Sequence, residues 1–132
     1  MSLQPRWSEA ILSGAKTIEL RRNRAGCEQG TPIVIYTSYP VRRIEGRCKV
    51  AKVIRAPLEE LWEQTKHSNG CTREEFDSYF EGAEEGYSIV LSDVERLAPQ
   101  PIAFNGPQSY RYLFDDEPEQ REVLRQAGLI EA

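Results

Sequence analysis

The apolar residues of this chain change period several times, and the order of those changes narrows the folds it can adopt. A helical pattern comes first, over residues 5–13. There Trp7, Ala10 and Ile11 fall at i, i+3 and i+4, between Pro5 at a first-turn position and Gly14 just past the end. Strand patterns follow at 17–22, 31–38 and 43–54, the first two separated by the turn-rich NRAGCEQGTP. Two helical patterns come next. One covers 57–66, with Leu58, Leu61 and Trp62 on one face. The other covers 72–82, opened by a capping box of Thr72 and Glu75, with Phe76, Tyr79 and Phe80 as its apolar set. YSIVLSDVERL, 87–97, reads as a further strand, and Pro118 opens a last helix at about 117–127. Strands that are not matched one for one by helices predict an α+β fold, here a small curved sheet or barrel with helices at one end. A chain of 132 residues suits a single domain with a core of its own.

GAKTIELRR, residues 14–22, is the segment where pattern and chemistry conflict. Its alternation is that of a strand, yet Lys16, Glu19, Arg21 and Arg22 fall within seven positions. Alternate side chains of a strand point to opposite faces, so Ile18 and Leu20 share one face and Thr17, Glu19 and Arg21 the other. The apolar pair predicts the core side. The polar trio then faces either water or a pocket. Arg22 falls at the strand end, where it reaches solvent.

Composition excludes several classes. No apolar run approaches the roughly 18 residues that a membrane-spanning helix needs, and no basic-plus-apolar start reads as a secretory signal. Cys27, Cys48 and Cys71 are odd in number and widely spaced, which reads as free thiols in a reducing, cytoplasmic setting. The only histidine is His67, so no His/Cys cluster supports a metal, and no motif calls for a cofactor. Met1-Ser2-Leu3 reads as the kind of remnant cloning leaves and is given no structural weight. The net charge of −4 argues mildly against bulk nucleic-acid binding, but its distribution is uneven. Residues 1–55 hold eleven of the 17 basic residues and only four of the 21 acidic ones, so the first part of the chain is basic and the rest acidic. Either the basic part forms an anion-attracting face, or the two parts interleave and cancel.

Gly14, Lys16, Glu19 and Arg21 form the pattern G-x-K-x-x-E-x-R, placed between a helix and a strand. With IYTS at 35–38, Pro40, Gly46 and GYSIVL at 86–91, this pattern resembles the ASCH family over about residues 5–113. The resemblance implies a PUA-like β-barrel with a cleft lined by Lys16, Glu19 and Arg21. It implies RNA, a nucleotide or a modified nucleoside as ligand. Some small bacterial members of the family are amidohydrolases that remove the acyl group from N4-acetylcytidine, using a lysine, a threonine and a glutamate. Lys16 matches that lysine. Glu19 stands where the threonine is expected. Ser68, Asn69 and Gly70 stand nearest to the place of the glutamate, so two of the three positions depart.

The residues themselves allow several roles. A Lys16–Glu19 pair in a cleft can shuttle a proton or position a water, and equally can be a structural ion pair. Arg21 offers a planar fork of donors for a phosphate, a carboxylate or a base edge, or a partner for Glu19. Tyr36 can stack on a base and Ser38 can bind a base edge or phosphate, if they are not simply strand packing. Gln108, Ser109 and Tyr110, followed by Arg111, combine amide, hydroxyl, ring and guanidinium in a way that suits nucleobase recognition. Arg42, Arg43, Arg47, Lys49 and Lys52 are candidate contacts to a nucleic-acid backbone, or a solvated strand edge. The expectation is a module that binds RNA or a nucleotide, with a nucleoside amidohydrolase as the alternative. A third reading has the acidic part dock a protein whose identity the sequence does not name.

Overall fold

A computed structural model describes residues 1–23 and 28–101. Its elements run β1 (Ser2–Leu3), α1 (Pro5–Leu12), β2 (Ile18–Arg21), β3 (Pro32–Thr37), β4 (Arg43–Pro57), α2 (Leu58–Thr65), α3 (Arg73–Tyr79) and β5 (Glu85–Pro101). The strands form one mixed sheet in the order β1-β3-β4-β5-β2, curled as a half-barrel with the helices beside it. β1 and β3 are parallel and the other pairs antiparallel. The α+β expectation is met. Cys27, the 108–111 recognition stretch and the helix at about 117–127 lie outside the described residues.

β4 and β5 run 15 and 17 residues and pair along most of their length. Three register shifts bend the pair. The shift between Val50 and Lys52 explains a break in the alternation of β4. Cys48 and Val50 are buried, Lys52 is exposed, and after the inserted residue Val53 turns to the core opposite Ile89. Gly46 sits beside another shift, where α1 crosses the sheet. A Cβ there would overlap Leu12 and lie 2.9 Å from the Glu95 carbonyl, so only glycine lets the helix lie that close.

The core has two clusters. Met1, Leu3, Ile11, Ile33, Ile35, Cys48, Val50, Ile89 and Leu91 form the first, with Trp7 packed against it. Ile18, Leu20, Ala56, Leu61, Phe76 and Phe80 form the second. Ile18 and Leu20 thus take the core side of β2, as their parity predicts. In the second cluster the Phe76 ring meets Trp62 edge-on at 5.2 Å and Phe80 at 4.7 Å. A Thr72–Glu75 capping box, with both reciprocal bonds made, starts α3 at the predicted place. The helix ends at Tyr79, short of residue 82, and Gly82 takes a left-handed conformation just beyond (φ +82°).

One expectation is corrected. Met1-Ser2-Leu3 is part of the fold: Ser2 lies opposite Tyr36 and Leu3 opposite Thr37, and Met1 and Leu3 are both buried. The Met1 amino group donates to the Val34 carbonyl at 2.8 Å. Two residues have no periodicity to read, and their partners lie more than thirty positions away. Below β1, a buried Thr37 Oγ1 donates to Ser8 Oγ at 2.8 Å and fastens α1 to β3.

Candidate functional site

A cleft of about 850 Å³ opens between the two core clusters. β1, Gln4 just before α1, Trp7 of α1, the end of β3 and the turn after it make one wall. Cys71 and the Glu75, Phe76 and Tyr79 side of α3 make the other. Lys16 and the polar face of β2 make the floor. The charges of the G-x-K-x-x-E-x-R segment therefore face a pocket.

Local structure places Lys16. Gly14, in a left-handed conformation at φ +86°, turns the chain out of α1. The Lys16 amide donates to Ala10 O at 2.9 Å and the Thr17 amide to Ser68 O at 3.0 Å. That clamp carries the Lys16 side chain into the interior, where it is only 4% exposed. Its Nζ donates to the Asn69 carbonyl and lies 5.2 Å from the Trp7 ring centroid. Gly70, at φ +74°, lies flat against its methylenes; a Cβ there would sit 3.3–3.4 Å from them. Asn69 is itself fully buried. Its Nδ2 donates to Thr65 Oγ1 at 3.1 Å, and its Oδ1 accepts from the Cys71 amide at 2.9 Å. The 68–70 segment thus meets Lys16, though with a backbone carbonyl in place of a carboxylate.

Burial sets the electrostatics of the floor. It lowers the Lys16 pKa, an effect opposed by the nearby Glu19 charge. It raises the Glu19 pKa, against the pull of Lys16 and Arg21. Glu19 Oε2 is sealed from solvent and accepts no hydrogen bond among the described residues. Arg21 lies on the same strand face and completes a row of plus, minus and plus.

At the outer side Arg6 of α1 clamps Glu75 of α3 through two bonds, Nη1 to Oε2 at 2.5 Å and Nη2 to Oε1 at 2.9 Å. That guanidinium, with the Thr72 amide, holds the Glu75 carboxyl down at about 2. Arg6 also stacks on Trp7, 4.0 Å from its centroid.

The cleft brings together Lys16, Glu19, Arg21, Tyr36, Ser38 and Arg42. Arg42 has a positive φ of 52° and stands over the Tyr39 ring at 5.4 Å. Arg43 and Lys49 are exposed on β4 and do not line it. Arg47 pairs with Glu95 at 2.7 Å. Arg22 is exposed, with Nη1 3.5 Å from the Tyr79 carbonyl. Gln108, Ser109 and Tyr110 lie outside the described residues. Sequence reasoning did not single out Trp7, Tyr39, Cys71, Glu75 or Tyr79 as cleft residues. Trp7 and Tyr79 sit at helical spacing with core residues, and spacing cannot tell a core wall from a cleft wall. Tyr39 is 74% exposed beside Pro40, a ring left in solvent that its place in the sequence does not announce.

Among the described residues, no cluster of three or more His, Cys, Asp or Glu is placed to hold a metal, and no helix is long and apolar enough to cross a membrane. His67 is exposed, and Cys48 and Cys71 are free thiols, the former pushed up to about 12 by burial.

A half-barrel with a charged cleft between a lone helix and a helical pair defines the class. The chain belongs to the ASCH domain family, whose model matches residues 1–99. It is 27% identical over 125 residues to an ASCH domain-containing ribonuclease of Zymomonas mobilis subsp. mobilis, covering 89% of this chain and 84% of the relative. The crystal structure of ASCH from Zymomonas mobilis superposes with a TM-score of 0.84 at 26% identity, over 94% of this chain and 92% of that one. A tyrosine-to-phenylalanine mutant of that protein matches equally well, at 25% identity over 94% of each chain. The PUA-like expectation is met at the level of fold.

Proposed function

We propose that this chain binds single-stranded RNA, or a nucleotide, in the cleft over β2. The observation that carries the reading is the floor of Lys16, Glu19 and Arg21 beneath aromatic walls. A nucleotide needs cations for its phosphate, hydrogen-bonding groups for its base edge and a flat apolar face for its ring. Here Arg21 and Arg42 serve the phosphate, Glu19 and Ser38 the base edge, and Trp7, Tyr36 or Tyr39 the ring. The ribonuclease relative supports RNA as the ligand class.

The test is fluorescence anisotropy with labelled single-stranded RNA. Arg21→Ala should weaken binding about tenfold or more, the value of a charge-assisted hydrogen bond. It should also make the log–log salt dependence shallower, by about 0.7 for each phosphate that Arg21 neutralises. Wild-type affinity no better than that of an acidic control protein would sink the proposal.

A catalytic reading draws on the placement of Lys16 and Glu19 together on the cleft floor, where burial lowers the lysine pKa and raises the glutamate pKa, which suits proton transfer. In amide hydrolysis Glu19 would take a proton from the attacking water, and the Lys16 ammonium would give one to the leaving amine. Applied to N4-acetylcytidine, this yields cytidine and acetate without the missing threonine. Conversion is followed by chromatography. It should be present in the wild type and lost in Lys16→Ala; turnover that survives the substitution rules out these roles. Parallel incubation with single-stranded RNA asks whether the same pair cleaves a phosphodiester.

A further inference from the structure

We infer that the base held in this cleft is a guanine, read on its Watson–Crick edge by the Glu19 carboxylate. The inference rests on the cleft being a site for unpaired RNA, and adds which base it selects. Glu19 is half-buried on the cleft floor, and its Oε2 has no hydrogen bond among the described residues. An ionised carboxylate can only accept, and a buried acceptor left without a donor is costly. A ligand that brings N–H groups gains what one without them cannot. Oε2 is sealed from solvent as it stands, but the terminal torsion of a glutamate is broad, so the carboxylate plane can turn to bring Oε2 into the cleft and meet two donors at once.

Of the four RNA bases only guanine presents two adjacent donors on that edge, N1–H and the N2 amine, followed by the O6 acceptor. Adenine and cytosine each offer one donor beside a ring-nitrogen lone pair, which would face the second carboxylate oxygen. Uracil offers one donor between two carbonyls. The groups flanking Glu19 complete the match, because O6 needs a donor beside the carboxylate. Arg21 lies two residues along on the same face, and Lys16 gives one N–H to Asn69 with two more to offer. Trp7 and Tyr36 supply rings for stacking.

The measurement is anisotropy with a short oligouridylate carrying one guanine, the same strand with inosine in its place, and oligouridylate alone. Inosine deletes only the N2 amine. Wild type should bind the guanine strand about tenfold tighter than the inosine strand, the scale of one arm of a bidentate base contact. Glu19→Gln, which exchanges one acceptor for a donor, should bind the two strands equally. Wild-type binding that is equal for all three strands overturns the guanine assignment and leaves RNA binding standing. Binding of none of them removes the underlying reading instead. A guanine preference retained in Glu19→Gln overturns the role of Glu19. Should that variant fail to fold, the wild-type comparison of guanine with inosine decides alone.

Discussion

Phe76→Ala should lower the stability of the domain by about 3–5 kcal/mol, the usual range for emptying a fully buried aromatic site. Phe76 is 1% exposed and stands at the centre of the second cluster, touching both Trp62 and Phe80. Neither neighbour can collapse into the space easily. Trp62 is held on α2, and Phe80 already packs against β5, where a Cβ on Gly86 would overlap its ring. Urea denaturation gives the value. The midpoint should fall with the slope unchanged, since the same surface is exposed on unfolding. A change under about 1 kcal/mol would mean that the cluster is not packed as described. Because Phe76 also lines the cleft, RNA affinity should fall even at temperatures where the variant is folded.

Asn69→Ala should have an effect of similar size by a different route. The side chain satisfies Thr65 Oγ1 and the Cys71 amide, and the site is fully buried, so water does not readily take its place. Leaving the Cys71 amide without an acceptor costs about 1–3 kcal/mol, and the missing asparagine packing adds to it. The further consequence concerns Lys16, which donates to the Asn69 carbonyl. If the loop shifts, the ammonium loses its mooring and the cleft floor is disordered. We expect a clear fall in melting temperature, and RNA binding weaker than stability alone explains when both proteins are compared well below it. Asn69→Asp keeps the acceptor for the Cys71 amide but loses the donor to Thr65, so it should fall between wild type and alanine. An alanine variant with wild-type affinity would show that Lys16 is held by other means.

Much of the fold was legible because it rests on local patterns. The parity of Ile18 and Leu20 against Glu19 and Arg21 assigned the two faces of β2, and the Thr72–Glu75 box located the start of α3. The failures come from effects that have no local signature. β1 is too short to have a period. A lysine at position 52 breaks the alternation of β4, but a register shift can be recognised only against the partner strand. In the site, the floor was legible since charges on a strand next to a core need a reason to be there. The walls were less so. Lys16 is anchored by a main-chain carbonyl, which every residue possesses, and Trp7 sits at core spacing on α1 whether it faces a core or a cleft. In the sequence Arg42 is one of several candidate contacts to a nucleic-acid backbone, and nothing marks it for the cleft. It enters the cleft through a left-handed backbone that arginine rarely adopts.

The two clusters of the core meet at the cleft. Leu3 and Trp7 on one side belong with the first, and Leu20 and Phe76 on the other belong to the second. The continuous β4–β5 ribbon joins them behind, and the Arg6–Glu75 clamp joins them in front. The opening is therefore a seam in the hydrophobic interior, and whatever occupies it acts as a stitch. A ligand gripped from both sides uses part of its affinity to keep the halves together, so occupancy is felt by the whole domain. At a hundredfold excess over its Kd such a ligand adds about 2.7 kcal/mol to the stability of the fold, close to what one buried aromatic side chain contributes.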